Sequence, residues 1–191
     1  MALELDPRKT ALVMIDLQQG ILAAPRFPHA VEDVVARNLT LARALKAKGG
    51  RVVAVRVDFG PGGSLAPKGA IDAAPLGDPP ADFADLRPEV LALAPDLIVT
   101  KRQWGAFHGT ELDLYLRRLG VETVLVAGVA TNMGVESTVR EGWSLGYGMV
   151  VIEDASSTFS DEWHTFAIDN ILPRISRVRS TDAALRALEA A

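Results

Sequence analysis

The sequence predicts an α/β fold, a three-layer α/β/α sandwich with a six-stranded, mostly parallel sheet at its centre. Three observations predict it. Six apolar runs of strand length recur along the 191 residues. Segments with helical periodicity alternate with them. The runs are continuously apolar rather than alternating, the pattern of strands covered by helices on both faces.

"TALVMID" (Thr10–Asp16) is the first such run and ends in a carboxylate. "AVEDVVARNLTLARALKAKG" repeats its apolar residues at helical spacing and stops at Gly49. "RVVAVRV" (Arg51–Val57) is the second strand. Residues 58–85 are crowded with Gly, Pro and Ala and read as an excursion over the surface, placed to cover a site. "DLIVT" (Asp96–Thr100) is the third strand, and "TELDLYLRRLG" a helix with Thr110 as N-cap and Gly120 as stop. "ETVLVAGV" is the fourth strand. "NMGVESTVREGWSLG" is the next helix, with Glu136 and Arg140 paired one turn apart. "GMVVIED" is the fifth strand, "DEWHTFAIDNIL" a helix closed by Pro173, "ISRVRS" the sixth strand and "TDAALRALEA" the last helix. No internal repeat or low-complexity segment interrupts this order, and the length suits one domain over residues 1–191.

The chain is 49% hydrophobic with a net charge of −4, the balance of a packed globular protein. It carries no Lys/Arg stripe, which argues against a nucleic-acid partner. Its apolar runs fall short of the roughly 20 residues of a membrane span. The opening "MALELDPRKT" holds two acidic residues and no apolar core, so it does not read as a signal peptide, and a cytoplasmic location is expected. There is no cysteine, which removes disulfides, thiolate nucleophiles and Cys-ligated metals together.

In parallel sheets ligands bind beyond the carboxyl ends of the strands, near a topological switch point. Asp16 ends strand one, where a carboxylate needs a partner or a task; it either caps the following turn or takes part in chemistry. Lys101 follows strand three and is either a solvated charge or the partner of Asp16, holding the acid and donating to substrate. Trp104 and Phe107 form an apolar pocket wall or pack in the core. After strand four, "VAGVATNMGVEST" bends from strand into helix, with Gly134 at the bend. Such a helix start presents free N–H groups to an anion or a developing oxyanion, or Gly134 merely eases packing. His29, His108 and His164 are scattered without metal-ligand spacing, "FGPGGS" reads as a flexible loop, and Ser137 and Ser156 lack a His–Asp relay.

"VMIDLQQGIL", "KRQWGAFHGTELDLYLRRLG" and "VLVAGVATNMGVESTVREGWSLGYGMVVIEDASS" resemble the isochorismatase-like hydrolase family, which includes nicotinamidases and N-carbamoylsarcosine amidohydrolases. The resemblance runs from Thr10 to about Ile175. It implies strand order 3-2-1-4-5-6 and a homodimer or homotetramer, with Trp143 and Trp163 available for an interface. It also implies a site in which Asp16 and Lys101 match two members of an Asp–Lys–Cys triad while the Cys position falls on Gly134. A cis peptide between Val129 and Ala130 is implied, with the N–H groups of Ala130 and Gly134 as an anion hole and Gln18, Thr131 and Asn132 joining Trp104 and Phe107 around the substrate. The nicotinamidase metal set keeps only Asp58 here, in "VDFGPGG", so neither metal nor other cofactor is expected. Without a thiolate the covalent amidase route is closed. The resemblance leaves a hydrolase acting on a small molecule without a cysteine, as isochorismatases do on a vinyl ether, or a small-molecule-binding or regulatory protein that has lost hydrolysis.

Overall fold

A computed structural model describes residues 3–73 and 79–191. Residues 74–78 of the 58–85 excursion and the first two residues of the N-terminal segment lie outside the described residues. The elements are β1 (Thr10–Ile15), α1 (Gln19–Leu22), α2 (Val31–Ala47), β2 (Arg51–Val57), α3 (Pro88–Leu91), β3 (Leu97–Lys101), α4 (Leu112–Arg118), β4 (Thr123–Val129), α5 (Glu136–Ser144), β5 (Gly148–Ser157), α6 (Asp161–Phe166), β6 (Arg177–Arg179) and α7 (Thr181–Glu189). The sheet order is β3-β2-β1-β4-β5-β6 and every pairing is parallel. The chain therefore reverses its direction of travel across the sheet between β1 and β4, and the switch point lies beside Asp16.

Alternate residues of β1 serve opposite faces, as the two-residue period of a strand requires. Leu12 and Met14 join Val34, Leu41 and Leu45 of α2 and Leu188 of α7 on one side. Ala11, Val13 and Ile15 join Leu112 and Leu116 of α4 and Val139 of α5 on the other. All six residues of β1 are buried, which is why its sequence shows no alternation. The register sets Ile15 beside Val55 and Gly128, and Val57 beside Lys101, so the carboxyl ends of β3, β2, β1 and β4 lie nearly level.

The differences from the sequence reading sit at element ends. Strand β3 ends on Lys101, so the lysine belongs to the last rung rather than the loop. Strand β5 runs on to Ser157, with a register shift against β4 between Val126 and Gly128. The helix expected from Asn132 opens with a wide π-type turn over Thr131–Val135 before α5 begins. The helix expected over Asp161–Leu172 also breaks up, into α6, a π-type turn and a 3-10 turn containing Pro173, whose ring nitrogen has no hydrogen to continue the ladder. Thr110 caps α4 from one position further out than expected, its Oγ1 accepting from the Leu112 N–H at 3.2 Å. The Glu136–Arg140 pair forms at 2.8 Å. Among the described residues no helix is long and apolar enough to cross a membrane.

The join between β1 and β4 leaves no room for a side chain at Gly128. Its φ is 121°, and a Cβ there would run into the backbone carbonyl of Ile15. Gly146 also has a positive φ, 90°, but open space around the same position. Gly128→Ala is expected to cost more than about 3 kcal/mol, strain and backbone clash together, whereas Gly146→Ala costs about 1 kcal/mol from strain alone. Urea unfolding of the two variants against wild type measures both; equal losses would show that the β1–β4 contact is not the limiting constraint.

Candidate active site

β1 delivers Asp16 into the switch point in a left-handed conformation, φ 53°, which Asp tolerates better than most residues. The turn is held by its backbone: the Asp16 N–H donates to Val55 O at 2.9 Å, and its carbonyl accepts from the Gln18 N–H at 2.8 Å. β3 lies two strands away, about 10 Å at ordinary strand spacing. A lysine side chain is long enough to cross most of that gap, and Lys101 does so beneath the end of β2. Its Nζ sits 2.8 Å from Asp16 Oδ2 and donates to the Trp104 carbonyl at 2.6 Å. Lys101 is 1% exposed and Asp16 5%, so the pair is withdrawn from water. Removing one partner of such a buried pair strands a charge and costs on the order of 3–5 kcal/mol.

The two oxygens of Asp16 differ. Oδ2 is held by Lys101, whereas Oδ1 is buried with no hydrogen-bond partner among the described residues. Burial pushes the carboxyl up to about 6 against the opposing pull of Lys101. This leaves an acid that changes protonation near neutral pH, with one oxygen free to exchange the proton.

The turn after β4 faces this pair. The Val129–Ala130 peptide is cis. The N–H groups of Met133 and Val135 both donate to Ala130 O at 3.1 Å, passing over the Gly134 N–H between them. The Gly134 carbonyl accepts from Thr138 Oγ1 at 2.6 Å, which anchors the glycine to α5. A Cβ at position 134 would lie 3.1 Å from Lys101 Nζ and 3.3 Å from Asp16 Oδ2, with Ile15 Cγ2 crowding it at 2.9 Å. Asp16, Lys101 and position 134, which lie far apart in sequence, thus form one cluster.

The residues expected around a pocket are placed differently. Phe107 is a core residue, stacked on Tyr147 with ring centroids 5.6 Å apart, the packing alternative of the two expected for it. Thr131 is fully buried with its hydroxyl 2.9 Å from His164 Nδ1, so it too faces inward. Gln18 is fully buried; its amide brackets Val57, donating to the carbonyl at 2.9 Å and accepting from the N–H at 2.7 Å, and donates also to Phe83 O at 2.8 Å. It fastens the 58–85 excursion to the end of β2. Trp104 contributes its carbonyl to Lys101 while its ring is exposed. Asn132 accepts from Thr158 Oγ1 at 2.6 Å and lines a shallow cavity of about 290 Å³ with Met133, Trp163 and Phe166. The "FGPGGS" loop helps to wall a larger cavity of about 690 Å³, with Gly20, Ala23, Pro67, Lys68 and Phe83. Trp143 and Trp163 are both exposed.

One group escaped the sequence reading. His29 and His164 meet at Glu153, and together these two histidines and the carboxylate are the only set of His, Asp and Glu side chains among the described residues close enough to hold a metal ion. The imidazoles that face it, His164 first and then His29, pull the Glu153 carboxyl down to about 2. The separations along the chain, 124 and 11 residues from Glu153, give no local motif. Asp58, by contrast, is committed to the Gly60 N–H at 2.8 Å and to Arg102 at 2.9 Å, bonds that hold its carboxyl below its ordinary range. It does not fit the nicotinamidase metal set.

With this geometry in place, likeness to known proteins becomes specific. The isochorismatase family protein YecD of Escherichia coli O157:H7 is 44% identical over 187 residues, 97% of this chain and all of that one. YwoC of Bacillus subtilis is 43% identical over 182 residues, 94% of each chain. The structure of an isochorismatase family protein from Burkholderia thailandensis superposes with a TM-score of 0.93 at 39% identity, covering 99% of this chain and 100% of the other. The isochorismatase domain matches residues 10–183, from the first residue of β1 into α7, and the chain belongs to the isochorismatase family.

Proposed function

We propose that the protein is a hydrolase that acts on a small molecule without a cysteine nucleophile, with Asp16 as its general acid and base. The observation that carries this reading is the unequal environment of the two Asp16 oxygens: Oδ2 fixed by Lys101 at 2.8 Å, Oδ1 buried and unpartnered. In this reading Oδ1 carries the proton and gives it to the leaving atom of the substrate, and water completes the cleavage. Lys101 holds the carboxyl in place and stabilises the carboxylate that the transfer leaves behind. The Ala130 and Gly134 N–H groups receive the charge that develops on the substrate. Asp16, Lys101 and Gly134 form the reacting cluster. Gln18 and Thr131 act as positioning residues through the bonds that hold the end of β2 and the turn after β4, while Phe107 packs in the core.

Thermal-shift screening of small amides, carbamoyl compounds and enol ethers, followed by product analysis of each hit, tests the reading. For a turned-over hit, Asp16→Asn is expected to lower kcat at least about 100-fold. Because the working form is the protonated acid and its pKa lies near 6, the wild-type rate is expected to fall as pH rises through about 6. Binding of every hit without turnover would instead support the ligand-binding reading.

Position 134 offers a separate check. The protein has no cysteine, so Gly134→Cys introduces a single thiol beside Lys101. Iodoacetamide labelling, read by mass as one adduct per chain, is expected to be half-maximal below the ordinary thiol value of about 8.5. Half-maximal labelling at the ordinary value would show that Lys101 does not act on groups at this turn, and labelling shifted above it that the Asp16 carboxylate outweighs Lys101 there.

A further inference from the structure

Away from Asp16, three side chains converge from separate parts of the fold. His29 lies between α1 and α2, Glu153 on β5 and His164 on α6. Their donor atoms all lie within 4.8 Å of one another. Both imidazole Nε2 atoms face the same oxygen, Glu153 Oε1, at 3.0 Å from His29 and 3.4 Å from His164. Two ligand atoms on one tetrahedral ion of zinc size sit about 3.3–3.4 Å apart, from metal–ligand distances of about 2.0–2.1 Å.

Both histidines are held from behind. His164 Nδ1 lies 2.9 Å from Thr131 Oγ1; in the tautomer that metal binding through Nε2 requires, Nδ1 donates its hydrogen to that hydroxyl and Nε2 carries a lone pair. His164 is buried, and its Nε2 makes no hydrogen bond among the described residues; it is aimed at the carboxylate instead. In that tautomer the lone pair faces a carboxylate oxygen, an arrangement that a metal cation between the two makes favourable. His29 is locked by its backbone, which donates to Ser157 Oγ at 3.1 Å and accepts from it at 2.8 Å. The two rings stand nearly perpendicular, at 86°. A ring hydrogen bond such as that between His164 and Thr131 fixes the tautomer and direction of a metal-binding histidine. A cavity of about 420 Å³, lined by Pro28, Glu153, His164, Asp169 and Val178, opens beside the group.

We propose that His29, Glu153 and His164 form a binding site for a divalent transition-metal ion, with a further coordination position facing that cavity for water or a small anion. Two nitrogens and one carboxylate select an ion such as Zn²⁺, Co²⁺ or Mn²⁺ over Ca²⁺ or Mg²⁺, which prefer all-oxygen sets. The ion ties the segment before α2 to β5 and α6. Through Thr131 it also steadies the turn that carries Ala130 and Gly134. The site stands independently of the role proposed for Asp16.

The test uses the full chain, stripped with chelator and then freed of it, titrated with Zn²⁺ by calorimetry and with Co²⁺ by visible absorption at pH 7.5. Expected are one ion per chain at micromolar affinity or tighter, and Co²⁺ d–d bands of a nitrogen-containing site. Glu153→Gln and His164→Ala are expected to weaken binding at least 10-fold, and Thr131→Val about 10-fold through loss of the bond behind His164. Asp58→Asn should leave it unchanged. His29→Asn, at a partly exposed position, supplies a ligand deletion that keeps the fold should a buried variant fail by circular dichroism. Absence of saturable binding, or binding that His29→Asn and Glu153→Gln leave intact, overturns the proposal.

Discussion

Burying a lysine and an aspartate at the end of a parallel sheet carries a heavy desolvation cost, and much of the local structure around residues 16 and 101 follows from meeting it. Each charge must find its partners inside the protein. Asp16 meets Lys101 at 2.8 Å only because β3 and β1 end level, so that a side chain starting two strands away can reach across. Lys101 spends a second hydrogen on the Trp104 carbonyl, which draws the start of the following loop over the pair. Gln18 closes the other side by bracketing Val57 and holding Phe83. One oxygen of Asp16 is left over, and that imbalance, rather than the pair itself, gives the arrangement its chemical potential.

Glycine at position 134 gives the site its particular character. The backbone of the turn retains the shape that would aim a side chain at Asp16 and Lys101, while the residue itself contributes only its peptide. In the proposed reading, chemistry at this site runs through a carboxyl and backbone donors instead of a covalent intermediate. The same turn is braced on its far side by Thr131 and His164, which links the switch point to the His29–Glu153–His164 group and makes the two sites mechanical neighbours.

Position along a strand proved readable, whereas facing did not. Asp16 and Lys101 stood out because a charge at the end of a continuous apolar run is conspicuous in any buried parallel strand. Phe107 and Thr131 were legible as residue types in a loop, but which way each turns depends on Tyr147 and His164, neighbours 40 and 33 residues away. The π-type turn at Thr131–Val135 could not be told from an ordinary helix start, since both use the same residues and differ by one step of hydrogen bonding. The metal-ligand candidates lacked any spacing signal because their proximity comes from β5 lying between two segments distant in sequence.

The sequence by itself determined the layered α/β class, the apolar strands and the identity of the residues at their carboxyl ends, because hydrophobic periodicity and chain order are local properties. It also determined that no thiolate can act, because composition alone excludes one. Only the tertiary structure decided that Lys101 reaches Asp16, that Asp16 Oδ1 is left unpaired and that His29, Glu153 and His164 share one point in space. Those facts depend on strand register and on which side chains close the remaining gaps, and both are settled when the two cores pack against the sheet.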